Sequence, residues 1–132
     1  MSPERRRGDD PAEWLRRAKS NLLRAKEDIR LSEVAKEDLC FDAQQAAEKA
    51  IKAVLIHLSI PFPYIHDLGA LLALAEERGT AIPPHVKEAA RLTRFAVETR
   101  YPGFDEPVTQ EEYGRALAIA EAVVRWAEEE IG

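Results

Sequence analysis

The sequence predicts an all-α protein, an up-and-down antiparallel four-helix bundle with one additional short helix. Apolar residues recur at spacings of three and four over long segments, and proline or glycine separates these segments. No β-branched alternation lasts five residues, and no Asn-Gly or Asp-Gly hairpin turn occurs. At 132 residues the chain has the size of one domain. We therefore expect a flexible N-terminal tip over residues 1–9 and a single helical bundle over residues 10–132.

The first two helices are predicted from their caps and their apolar rows. Asp10 and Pro11 form an N-cap and a first helical position, and the apolar row that begins at Leu15 carries the first helix to about Leu31 or Val34. The second helix, predicted over Lys36–Ser59, is rich in alanine and has two adjacent apolar rows, which is typical of a central helix. Pro61 and Pro63 end it.

Three further helices follow from similar signals. Asp67 caps a short helix over Leu68–Glu77, and Gly79 follows its end. Pro83-Pro84 begins a fourth helix that ends near Tyr101, with Val86, Ala90, Thr93 and Val97 predicted on its buried side. Thr109 and Glu112 form a capping box that begins the fifth helix.

The composition excludes several classes of protein. The net charge of −5 argues against broad nucleic-acid binding by charge alone. The longest stretch free of Asp, Glu, Lys and Arg contains Pro61 and Pro63 and is too short to span a membrane, and no apolar run follows the charged N-terminus as in a signal peptide. A single cysteine, Cys40, excludes an internal disulfide and a multi-cysteine metal site. We expect a cytoplasmic protein without a metal site, a cofactor or a membrane association.

Some polar residues lie where the helical rows predict apolar ones. Gln44 lies on an apolar row of the second helix, where a buried amide needs hydrogen-bond partners. Arg100 continues the predicted buried row of the fourth helix. It is either a favourable charge at a helix C-terminus or a ligand contact. Lys87, Arg91 and Arg94 form one stripe on that helix, which is either a solvated face or a phosphate-binding track.

Three sequence segments together resemble a known family. They are His66-Asp67-Leu68, Thr99-Arg100-Tyr101-Pro102 and the run Cys40-Phe41-Asp42-Ala43-Gln44-Gln45-Ala46-Ala47-Glu48-Lys49-Ala50-Ile51-Lys52-Ala53. From about Glu13 to Glu129 the chain resembles the HEPN (higher eukaryotes and prokaryotes nucleotide-binding) domain family. The resemblance implies a helical bundle, often dimeric, that commonly works beside a minimal nucleotidyltransferase in toxin-antitoxin-like pairs.

The sequence departs from the pattern of the family's metal-independent ribonucleases. These enzymes place an Arg and a His on one helix with four to six residues between them. Counted from Arg94, the corresponding positions are Thr99, Arg100 and Tyr101, and the sequence has no histidine after His85. Without a general acid or base, RNA cleavage loses about 10²–10⁴-fold in rate. We therefore expect no catalytic residue.

The leading hypothesis is a noncatalytic HEPN-like protein, and the sequence favours a chain that is not an enzyme. It would bind a nucleotide-type ligand or RNA, dock a minimal nucleotidyltransferase, or do both. The predicted ligand-binding residues are Gln44, Lys49, His66, Arg94, Arg100 and Tyr101. The alternatives are a ribonuclease toxin with a degenerate motif and an interaction module without a ligand, and Tyr101 could also accept a nucleotidyl group. A homodimer is predicted because the apolar surface of the second and fifth helices exceeds what a small bundle buries.

Overall fold

The computed structural model describes residues 9–27, 35–96 and 107–132, and every regular element in these ranges is helical. The order is α1 (Pro11–Ala25), α2 (Lys36–His57), α3 (Leu68–Glu77), α4 (Pro84–Lys87), a 3-10 helix (Glu88–Ala96) and α5 (Gln110–Ile131). This confirms the predicted fold class. None of the described helices is long and apolar enough to cross a membrane.

Helix α2 is the centre of the bundle and contacts α1, α3, the 3-10 helix and α5. Its alanines let these neighbours approach closely, and its side chains are buried on several sides, as the two apolar rows predict. Because α2 is covered within one chain, its wide apolar face does not need a second copy. The argument from that face therefore no longer supports a homodimer.

Helix α1 begins as predicted but ends early. The Asp10 carboxylate accepts a hydrogen bond from the Ala12 amide at 3.0 Å, and Pro11 occupies the first turn. The helix ends at Ala25, so the predicted end near Leu31 or Val34 is wrong. The hydroxyl of Tyr113 on α5 donates to the Ala25 carbonyl, which binds this end of α1 to the bundle.

The fourth helix differs most from its prediction. After one α-helical turn the chain continues as a 3-10 helix to Ala96, which has three residues per turn. Val86, Ala89, Leu92 and Phe95 are accordingly buried at a spacing of three. The predicted row is wrong for Ala90, which is exposed. Thr93 is half-buried, and its hydroxyl accepts a hydrogen bond from the Leu68 amide at 3.1 Å.

The caps of the other helices follow the sequence. Asp67 accepts a hydrogen bond from the Ala70 amide at 3.1 Å, and Thr109 and Glu112 form the reciprocal capping box of α5. Helices α1 and α2 lie side by side in opposite directions. As a result, Trp14 lies near Lys52 at one end of their shared groove, and Arg24 lies near Asp42 at the other.

Candidate functional site

The four predicted site residues that the structure describes lie in different surroundings. Gln44 and His66 meet at one buried carboxylate, that of Glu48. Lys49 lines a cleft between α1 and α2, whereas Arg94 lies beside α5. Arg100 and Tyr101 lie outside the described residues.

Glu48 is the centre of a buried polar network, and only 4% of its surface is exposed. Its carboxylate accepts hydrogen bonds from Gln44 Nε2 at 2.7 Å and from Lys52 Nζ and His66 Nδ1 at 2.9 Å each. Burial opposes the charged form of Glu48, but the donors together outweigh burial and hold the pKa of this carboxyl below its usual range. Glu48 is therefore an ionised group inside the bundle.

Lys52 neutralises Glu48 and is itself almost fully buried. Its ammonium nitrogen lies 5.9 Å from the ring centre of Trp14, 5.7 Å from that of Phe62 and 5.4 Å from that of Tyr64. These distances are within the range of cation–π attraction. The rings and the carboxylate together replace the water that Lys52 loses on burial.

The cleft between α1 and α2 is a strongly cationic cavity. It has a volume of about 370 Å³, and its lining includes Arg16, Arg17, Arg24 and Lys49. Polar and aromatic groups complete the lining, namely Ser20, Asn21, Gln45 and Phe41. Such a lining suits an anionic ligand that also has a hydrogen-bonding, planar part.

Hydrogen bonds hold the cations of this cleft in position. Lys49 Nζ donates to Asn21 Oδ1 at 2.7 Å, and Asn21 Nδ2 donates to Asp42 Oδ1 at 2.9 Å. Arg24 donates to the same Asp42 oxygen at 2.8 Å. The groups that would meet a ligand are therefore ordered before it binds.

The electrostatics of the cleft favour an added anion. Burial, together with repulsion from Arg17 and Arg24, lowers the pKa of Lys49. Glu13 accepts hydrogen bonds from Arg16 and Arg17, which lower the pKa of its carboxyl to about 2. Glu13 and Asp42 offset only part of the positive charge of the four basic side chains.

Arg94 lies in a second cavity, between the 3-10 helix and α5. Its guanidinium is 3.3 Å from a Glu112 carboxylate oxygen and 4.8 Å from the ring centre of Phe95. The predicted stripe is divided, because Lys87 instead forms an ion pair with Glu76 of α3 at 2.7 Å. A continuous track of three cations is therefore not formed.

The model of the HEPN domain matches residues 11–131. The chain belongs to the HEPN domain family. Two solved structures share its fold. TT1696 from Thermus thermophilus is 30% identical, with a TM-score of 0.76 over 91% of this chain and 97% of that one. ST0689, an archaeal HEPN homologue, is 24% identical, with a TM-score of 0.74 over 93% of this chain and 98% of that one. No curated protein matches the chain.

Sequence reasoning missed much of this HEPN domain's cleft. Arg17, Asn21 and Arg24 lie on α1 at spacings of four and three, which places them on one side of the helix, and that side faces α2. That spacing was a readable signal, but it identifies a cleft only when the position of α2 is known. In the sequence, only its place in the family motif distinguishes Glu48, although its carboxylate joins two of the predicted residues.

The described part of the domain has neither a cluster of three or more metal-binding side chains nor a reactive thiol. Within it, no group of three or more His, Cys, Asp and Glu side chains is arranged to hold a metal ion. Cys40 is fully buried, and burial raises the pKa of its thiol to about 12. The Cys40 thiol is therefore a poor nucleophile at neutral pH.

Proposed function

We propose that this HEPN domain binds a nucleotide-type ligand whose phosphate groups lie between α1 and α2. The supporting observation is the convergence of Arg16, Arg17, Arg24 and Lys49 on one cleft of a chain whose net charge is −5. Positive charge concentrated against the overall balance of the chain marks a site for an anion. Planar guanidinium groups hold phosphate through paired hydrogen bonds.

The remainder of the cleft fits the remainder of a nucleotide. Asn21 and Gln45 contribute amides, and Phe41 contributes an aromatic ring. Stacking of a base on an aromatic ring is worth about 1–3 kcal/mol. The proposed activity is binding without cleavage, because the family's Arg–His ribonuclease spacing lacks its histidine in this sequence.

Calorimetric titration with ADP tests the proposal. Arg17→Ala should weaken binding at least about tenfold, because a charge-assisted hydrogen bond contributes about 1.5–3 kcal/mol. Lys19→Ala is the matched control. It removes one positive charge from the same helix, but Lys19 does not line the cleft and pairs with Glu128 of α5 at 2.6 Å. Absence of binding by ADP and by every other nucleotide, or equal losses in both variants, would overturn the proposal.

A second experiment separates binding from the ribonuclease alternative. Purified protein is incubated with RNA in EDTA, and the products are resolved on a denaturing gel. We expect intact RNA. Cleavage that disappears in the Arg94→Ala variant would establish the ribonuclease alternative instead. Docking of a minimal nucleotidyltransferase and homodimer formation stay predictions from the family resemblance, and a sedimentation measurement at micromolar concentration tests the dimer.

A further inference from the structure

The buried network around Glu48 fixes the orientation of Gln45, whose amide lines the cleft, and it does so through the neighbouring Gln44. An ionised carboxylate only accepts hydrogen bonds, and an ammonium group only donates them. Since Glu48 accepts and Gln44 lies 2.7 Å from it, Gln44 must present its Nε2 group to Glu48. The carbonyl oxygen of Gln44 is then left as an acceptor for another donor.

That donor is Gln45, the next residue of α2. Gln45 Nε2 donates to Gln44 Oε1 at 2.7 Å. Its orientation is therefore set by the Glu48 carboxylate through Gln44, although no hydrogen bond joins Gln45 to Glu48 directly. The carbonyl oxygen of Gln45 and its second N–H remain available, and Gln45 is half-buried in the wall of the cleft.

Three cleft residues follow one another along α2 at intervals of four. Phe41, Gln45 and Lys49 therefore lie on one face, and the first is separated from the last by about 12 Å at 1.5 Å per residue. In order they offer an aromatic ring, an oriented amide and an ammonium group. In this order they can contact the face of a base, the edge of that base and the phosphates of one nucleotide.

We propose that the cleft prefers adenine nucleotides and that Gln45 is the residue that determines this preference. Adenine presents an amino donor beside a ring nitrogen acceptor, which a glutamine amide contacts with two hydrogen bonds. Guanine presents two acceptors at the corresponding edge, so its carbonyl oxygen would face the Gln45 carbonyl oxygen. Cytosine also has an amino group, but its smaller ring stacks less well on Phe41. This inference rests on the proposed nucleotide binding.

The test compares ADP, GDP, CDP and inorganic pyrophosphate by calorimetry. The wild-type protein should bind ADP about 5–150-fold more tightly than GDP, since one such paired contact discriminates by about 1–3 kcal/mol. Gln45→Met should reduce the ADP:GDP ratio to within about twofold and leave pyrophosphate affinity unchanged. Gln44→Met should also reduce the ratio, because it removes the acceptor that orients Gln45 without changing the cleft wall. Gln110→Met, an exposed position on α5, is the control and should keep the wild-type ratio.

The outcomes separate the two proposals. If neither pyrophosphate nor any nucleotide binds, the proposed function itself is wrong. If pyrophosphate and all three nucleotides bind but GDP or CDP equals ADP, only the adenine preference is wrong. If wild type prefers ADP and both Gln45→Met and Gln44→Met keep that preference, Gln45 is not the residue that determines it. Circular dichroism of each variant confirms that its helices are intact.

Discussion

Removal of the buried carboxylate of Glu48 should destabilise the protein severely. In Glu48→Gln, an amide N–H₂ group replaces one of the two oxygens that accept from Gln44, Lys52 and His66. The charge of Lys52 remains, and its side chain is only 4% exposed. Breaking one side of a buried ion pair costs about 3–5 kcal/mol, because the other charge stays buried without compensation.

That cost is large beside the whole stability of a small domain, which is about 5–15 kcal/mol. The expected fall in melting temperature is roughly 10–20 °C for a chain of this size. Urea unfolding followed by circular dichroism measures the free energy directly. Glu121→Gln is the matched control, since Glu121 pairs with Lys26 at 3.0 Å with both side chains about 40% exposed. Loss of such a surface pair should cost no more than about 1 kcal/mol.

The double variant keeps the experiment decisive if Glu48→Gln alone unfolds. Lys52→Met removes the uncompensated charge, and the methionine can pack against Trp14 and Phe62, the rings that now surround the lysine. Glu48→Gln/Lys52→Met should therefore be at least as stable as Glu48→Gln. The reasoning would be refuted if the double variant were less stable than Glu48→Gln. It would also be refuted if Glu48→Gln cost no more than Glu121→Gln.

Four further predictions test separate parts of the structure. The lowered pKa of Glu48 means that its unfolded carboxyl, with an ordinary value of 4.5, protonates before the folded one, so the urea midpoint should fall as the pH drops below about 4.5; a midpoint that rises would contradict this. Cys40 should not react with a thiol reagent at pH 8 until urea unfolds the chain, because burial raises its pKa to about 12. Thr109→Ala should cost about 1 kcal/mol in urea unfolding, because it removes the hydroxyl that accepts a hydrogen bond from the Glu112 amide at 3.0 Å at the start of α5. Ala89→Asp should be far more destabilising than Ala90→Asp in the same assay, because Ala89 is buried and Ala90 is exposed. The reverse order would show that the buried spacing of three residues is wrong.

Local signals in the sequence predict most of the fold. Asp10, Asp67 and Thr109 each cap the helix that the sequence assigns to them, because a cap depends on only a few neighbouring residues. The central position of α2 also follows from its two apolar rows. The inward position of Gln44 is confirmed, and its exposed fraction is 0%.

Local signals could not predict which residues of the fourth helix are buried. A row at Val86, Ala90 and Thr93 fits an α-helix, whereas Val86, Ala89 and Leu92 fit a 3-10 helix, and both rows are present in the sequence. Packing against α2 and α5 decides between them. For the same reason, Arg94 and Lys87 face different helices although α-helical spacing places them together.

The partners of charged residues depend on tertiary structure even more strongly. Glu48 and Lys52 are four residues apart, which on an exposed helix would be an ordinary surface pair. Burial among aromatic rings holds this pair together, because moving either charged group away would leave the other buried without compensation. Gln44 and Gln45 extend the same hydrogen-bonded group to the wall of the cleft. A buried polar network can contribute little net stability and still fix the donors and acceptors that a ligand meets. This accounts for the polar residues on the buried side of α2.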